Sequence, residues 1–217
     1  MPETGSCMNE SAMSDPIRLV ALVSGGGTTL QNLIDRIAAG TLPAQIAGVV
    51  SSRADAFGVA RAGRAGVPVG VVDASPRRAT FAEEVWAAVR GFAPDLVCFA
   101  GWLHLLPIPA DFRHRVLNIH PSLLPAFGGK GMYGHHVHEA VLAYGARVTG
   151  CTVHFADDTY DTGPILVQTC VPVKDGDTPD TLAARVFQAE CGAYPDAIRL
   201  IAEGKVTVQG RRVIISG

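Results

Sequence analysis

Ile17-Arg18-Leu19-Val20-Ala21-Leu22-Val23-Ser24-Gly25-Gly26-Gly27-Thr28-Thr29-Leu30 is the stretch that decides the fold. From Ile17 to Ser24 the chain is apolar almost without a break. A run without polar alternation suits a strand buried on both faces, as in a parallel sheet. Three glycines then turn the chain. Leu30, Leu33, Ile34 and Ile37 follow at helical spacing, and Gly40 closes the helix. Strand, glycine turn and helix together open a βαβ unit.

Working outward, the same alternation repeats. Gln45–Ser51, Val67–Val72, Asp95–Ala100 and Val116–His120 read as strands. Phe57–Ala65 reads as a helix, and Pro76 opens a longer amphipathic one that runs to about Arg90. Beyond Pro121 the pattern changes. A glycine-rich loop covers Phe127–Gly134, and a short helix runs to Tyr144. Two longer β runs, Val148–Phe155 and Ile165–Val173, flank the polar loop Ala156–Gly163. A helix from Thr178 to Ala202 and a hairpin around Gly210 complete the chain. Strands alternating with helices imply an α/β fold, with a doubly wound, mainly parallel, Rossmann-like sheet. The second half extends that sheet within a single domain, residues 16–217.

Composition narrows the function. The chain has 217 residues, 48% hydrophobic and 18% charged, with a formal net charge of -2. That balance builds a sizeable core and gives no global field for nucleic acid or an anionic membrane. No apolar run approaches the roughly 20 residues of a membrane span. Met1–Asp15 is polar and lacks the apolar segment of a signal peptide, so it reads as a disordered tail, with Met8 or Met13 as alternative starts. Cys7, Cys98, Cys151, Cys170 and Cys191 are odd in number and far apart, which fits a reducing, cytoplasmic setting. His135, His136 and His138 lack the spacing and partners of a zinc site, so no metal is expected.

Chemistry is expected at strand ends. Gly25, Gly26, Gly27, Thr28 and Thr29 join a buried strand to a helix N-terminus, where backbone N–H groups attract an anion. No lysine stands where a P-loop needs one, and Leu30 occupies the third glycine position of the dinucleotide fingerprint. A phosphomonoester site and a plain turn with a hydroxyl-capped helix are both compatible with these residues. Asn118 and His120 sit at the carboxyl end of a strand and share one face, with Ile119 on the other. An amide donor beside an imidazole can hold an oxyanion and move a proton.

The run Leu117-Asn118-Ile119-His120-Pro121-Ser122-Leu123-Leu124-Pro125 resembles the signature of the folate-dependent formyltransferases. Asp161-Thr162-Gly163-Pro164, Thr149–Phe155, Ala100-Gly101-Trp102 and Ala54–Gly58 extend the resemblance from Ile17 to about Ile201. It implies catalytic roles for Asn118, His120 and Asp161, with the aspartate favouring a protonated imidazole. It implies 10-formyltetrahydrofolate as donor and 5-phosphoribosyl-glycinamide as acceptor, small-molecule partners only, in a monomer or homodimer. The acceptor's phosphate would lie on Gly25–Thr29. Its ribose would lie on Glu190, with Phe187, Gln188 and Ala189 alongside. The folate would contact Arg78, Leu103, His104, Leu105, Leu106, Asn118 and the loop Asp157, Asp158, Thr159, Tyr160, Asp161. The chain departs from the family pattern at Thr29, Trp102, Leu103-His104-Leu105, Gly128–Gly134 and Phe187. From their residue types alone, Asp157 and Asp158 read equally well as solvated turn formers, and His154 as a buried strand histidine near the site.

Overall fold

The computed structural model describes residues 15–75 and 79–217. Most of the expected Met1–Asp15 tail, and Arg78 of the expected folate contacts, lie outside the described residues. Seven strands form one sheet: β1 (Ile17–Val23), β2 (Ala44–Ser51), β3 (Val69–Val71), β4 (Leu96–Phe99), β5 (Val116–His120), β6 (Val148–Phe155) and β7 (Ile165–Pro172). Their order is β3-β2-β1-β4-β5-β6-β7. β1 to β5 pair in parallel, whereas β6 and β7 add antiparallel strands at one edge. The mainly parallel, doubly wound sheet expected from the sequence is therefore present, extended as expected by later strands. The expected terminal hairpin is present as β8 (Val206–Gln209) and β9 (Arg212–Ile215), and it forms a two-stranded sheet of its own and does not join the main one.

β1 is central, and its side chains show why it reads as unbroken apolar sequence. Leu19 joins one core cluster and Ala21 and Val23 another on the same side, with residues of α1 (Thr28–Ala38) and α2 (Phe57–Arg64). Val20 and Leu22 point the other way, into a cluster with α3 (Phe81–Gly91). All five are fully buried. Alternate side chains fill opposite layers, so neither face can be polar. Burial of a side chain such as Leu22 contributes about 1.5–3 kcal/mol.

Helix ends depart most from the expectations. α3 begins at Phe81, not at Pro76. Thr80 precedes it and donates its hydroxyl to Glu84 at 2.8 Å, and Glu83 and Glu84 favour the positive helix start. α1 starts at Thr28 with Gly27 as its N-cap and no side-chain cap. The capping role open to the Thr28 and Thr29 hydroxyls is thus not taken up. α4 (His135–Tyr144) and α5 (Pro179–Ala202) pack over the Leu19 side of the sheet. Thr178 and Thr181 form a reciprocal capping box at the start of α5. Buried Tyr194 of α5 extends its hydroxyl to the carbonyls of Phe99 (3.1 Å) and Leu117 (3.0 Å), fixing the helix across β4 and β5.

The order in which strands are added reverses between β1 and β4. β2 and β3 lie on one side of β1, and β4 and β5 on the other. Such a switch point opens a crevice beyond the strands' carboxyl ends. Ser24 N donates to Gly101 O across it at 3.0 Å. The three glycines there are not equivalent. Gly27 has φ 67, and an added Cβ would meet Gly58 Cα at 2.6 Å. Gly25 and Gly26 lack positive φ, and an added Cβ there meets nothing within 4 Å. Gly27 is therefore required by the fold, whereas nothing among the described residues requires Gly25 or Gly26. We expect Gly27→Val to destabilise the protein by about 2 kcal/mol or more, combining a left-handed backbone cost of about 1–2 kcal/mol with the clash. Gly26→Ala should be nearly neutral. Urea unfolding of both variants checks the contrast, and equal losses would contradict it.

Candidate active site

A cavity of about 410 Å³ lies at the strand ends. That volume falls in the range of small-molecule sites. Thr28 and Thr29 line one end, and Trp102, Leu103, His104, Leu105 and Leu106 line another. Asn118, His120, Asp157, Thr159, Tyr160 and Asp161 complete the floor and one wall. Phe187 and Glu190 of α5 reach it together with Ala183, because spacings of four and three residues share one helical face. Gln188 is exposed and Ala189 packs toward the core, so neither lines the cavity. Gly25, Gly26 and Gly27, expected in the site, do not line the cavity. Asp158 is also absent from this wall. It accepts from Ile108 N at 2.7 Å and borders a smaller cavity.

The reactive groups meet at Asp161. Its Oδ2 accepts from Gly129 N at 2.9 Å and lies 3.4 Å from His120 Nδ1. Its Oδ1 accepts from Asn118 Nδ2 at 3.3 Å and lies 3.6 Å from His154 Nε2. Burial opposes ionisation of this carboxyl. Hydrogen bonding to His120, with the charge on His120 and the Gly129 amide, outweighs that cost and holds it well below the usual carboxylate range. Asp161 itself has φ 57, a left-handed conformation that aspartate tolerates better than most residues.

Neighbouring contacts fix the hydrogens. His120 Nε2 lies 2.9 Å from the Phe127 carbonyl, so acceptors stand at both ring nitrogens. The doubly protonated ring is the form that donates to both. His154 Nδ1 donates to the Phe155 carbonyl at 2.9 Å, which leaves Nε2 to accept from Asn118 Nδ2 at 3.1 Å. The Asn118 amide must turn its nitrogen this way, because its oxygen would repel the carboxylate. Both amide hydrogens are therefore engaged, on His154 and Asp161.

His154 is a site residue, not simply a core histidine. β6 pairs with β5 so that His154 stands opposite Asn118. Only that register reveals the contact. His138 and the loop residues Gly129, Gly131, Met132, Tyr133 and Gly134 also line the cavity. Sequence reading left this loop without a role, yet its Gly129 amide holds Asp161. His135 and His136 pair with Asp180 (2.7 Å) and Glu139 (3.4 Å). Asp157 accepts from Thr159 N at 3.1 Å and from the Thr162 hydroxyl at 2.8 Å, so it shapes its loop as well as lining the cavity.

Residues 17–198 match the family model described as formyl transferase. The chain belongs to the formyl transferase family. It is 36% identical to the phosphoribosylglycinamide formyltransferase of Escherichia coli (strain K12) over 206 residues, 93% of this chain and 94% of that protein. It is 41% identical to the trifunctional purine biosynthetic protein adenosine-3 of Gallus gallus over 199 residues, 90% of this chain but 19% of the relative. This formyl transferase thus spans about a fifth of that relative's length. The crystal structure of glycinamide ribonucleotide transformylase 1 from Symbiobacterium toebii superposes with a TM-score of 0.87 at 43% identity, covering 94% of this chain and 96% of that one. Among the described residues of this formyl transferase, no helix is long and apolar enough to cross a membrane.

Glu190 supplies a pH test. Burial pushes its carboxyl up to about 7, partly offset by the charge of His120. In the unfolded chain a glutamate titrates near about 4.3. Between those values the folded state binds more protons, so this contribution is complete below the unfolded value and is lost as pH rises through the folded one. Glu190→Gln abolishes that loss. Its stability relative to wild type should rise from about pH 5 and level off above about pH 8 in urea unfolding. A pH-independent difference would contradict the shifted carboxyl.

Proposed function

We propose that this protein transfers the formyl group of 10-formyltetrahydrofolate to the amino group of 5-phosphoribosyl-glycinamide, a step of purine nucleotide assembly. One observation carries the reading. Asn118, His120 and Asp161 meet in a cavity that is also lined by Thr28 and Thr29, at the start of the helix after the glycine loop, and by the apolar run from Trp102 to Leu106. Each of these two linings suits one substrate. Gly25 and Gly26 leave room for a ligand to approach the backbone, as a phosphate on a helix N-terminus requires. Trp102, Leu103 and Leu106 suit the flat, largely apolar ring system of a folate, and the loop Asp157–Asp161 offers polar groups to its edge. Glu190, partly enclosed beside Phe187, suits the hydroxyls of the ribose. The domain we assign to this reaction is residues 16–217, and the free thiols of Cys98, Cys151, Cys170 and Cys191 suit the cytoplasm.

The chemistry follows from the contacts. The acceptor's amine attacks the formyl carbon, and the carbonyl electron pair moves to oxygen. Asn118 donates to that oxygen the N–H that otherwise makes the long 3.3 Å contact to Asp161. The imidazolium of His120 adds positive charge and releases one of its two contacts to deliver a proton. The carbon–oxygen double bond re-forms, the bond to the folate nitrogen breaks, and that nitrogen leaves with the proton. The amine's surplus proton passes by way of water beside Asp161 to the neutral His120, which restores the imidazolium.

A transfer assay with the purified protein tests the function directly, reading formylated acceptor and deformylated folate together. Formate release without amine formylation would replace this reading with hydrolysis. Two variants test the parts. Asp161→Asn should lower kcat by roughly 10²–10⁴, the usual span for general acid–base groups, with a smaller change in acceptor KM. Combined with His120→Ala it should be scarcely worse than His120→Ala alone, and full additivity would sink the coupled role. Gly26→Leu should raise acceptor KM while leaving folate-analogue affinity and stability nearly unchanged. Loss of both affinities in the folded variant would remove the loop from phosphate binding.

A further inference from the structure

The carbonyls of the glycine loop are tied down from behind. Gly58 N, in the first turn of α2, donates to Gly25 O at 3.0 Å. Arg61 Nε, one turn later, donates to Gly26 O at 2.9 Å. A trans peptide directs its N–H opposite to its C=O. The amides of Gly26 and Gly27 are therefore aimed away from α2. Consecutive amides turned to one side form a concave receptor for an anion.

Arg61 is itself held in place. Its Nη1 donates to Gln31 Oε1 at 3.1 Å, and Gln31 Nε2 donates to Asp35 Oδ1 at 2.8 Å. The guanidinium lies over the Phe57 ring, 4.9 Å from its centroid. Arg64 shares that ring at 5.1 Å, but among the described residues it makes no hydrogen bond to the loop. The Arg61 bond has a second effect. A cation on the Gly26 carbonyl draws electron density from the peptide group and strengthens the Gly27 N–H as a donor.

We propose that Arg61 is a positioning residue of the phosphate site: through the Gly26 carbonyl it aims and polarises the Gly27 amide toward a phosphomonoester. This rests on the reading that the glycine loop holds the acceptor's phosphate. The arginine does not touch the ligand.

The test uses inorganic phosphate, so it does not depend on turnover. Affinity is measured by calorimetry for wild type, Arg61→Met, Arg61→Lys and Arg64→Met, with the Gly27 amide followed by NMR. Arg61→Met should weaken phosphate binding about tenfold, the scale of a lost charge-assisted bond, and raise acceptor KM by a similar factor. Its Gly27 amide resonance should move even without ligand, and folate-analogue affinity should hold. Arg61→Lys should recover much of the loss, because an ammonium can still reach one carbonyl. Arg64→Met removes a charge from the same patch without a loop bond and should match wild type. Equal weakening by Arg61→Met and Arg64→Met would reduce the effect to general charge and overturn the proposal. Wild-type affinity in Arg61→Met would overturn it while sparing the loop's phosphate role. Absence of phosphate binding in wild type would overturn both.

Discussion

A buried carboxylate with enough partners is the constraint on which this site depends. Asp161 carries a desolvation cost that opposes its ionisation. Its ionised form persists because β5 supplies Asn118 and His120 and the glycine-rich loop supplies the Gly129 amide, while His154 of β6 accepts from Asn118 and orients its amide. No single element can satisfy the charge. Sheet register, loop path and strand-end placement must all be correct before the carboxylate is stable, so catalytic geometry and correct folding become one condition.

The rest of the fold delivers these partners to one place. β1 to β5 run in parallel, so their carboxyl ends gather on one edge of the sheet, and the reversal beside β1 separates the loops enough for a cavity. The two antiparallel strands then bring His154 opposite Asn118. α5 crosses behind, pinned by Tyr194, and offers Phe187 and Glu190 from one face. The glycine loop after β1, the apolar run after β4, and Asn118 and His120 at the end of β5 therefore follow one another along the strand ends.

Much of this was legible in the sequence. The apolar stretch through Leu19–Val23 declares a strand buried on both faces, and β5 and β6 have the bounds their patterns imply. Asn118 and His120 advertise themselves by position at a strand end, and Asp161 through its family signature. What stayed hidden depended on contacts between distant segments. His154 gains its role only from strand register. Gly129 looks like any loop glycine until its amide meets a carboxylate. Gly27 and Gly26 are identical in sequence, and the approach of Gly58 and a left-handed backbone at Gly27 separate a packing requirement from open space. The start of α3 was misplaced because proline marks a permitted helix start, not an obligatory one. Gln188 and Ala189 followed their neighbours into the expected site, but helical periodicity turns them away from it.

The stitching between the apolar wall and the aspartate loop has a consequence for movement. Leu105 N donates to the Tyr160 hydroxyl at 3.1 Å, and Ile108 N donates to Asp158 at 2.7 Å. Tyr160 is the neighbour of Asp161. A loop excursion wide enough to break the tether to Leu105 also carries the carboxylate away from His120 and Asn118. The contact that holds the apolar run and the carboxylate that meets His120 and Asn118 thus sit on adjacent residues, so the two are mechanically linked.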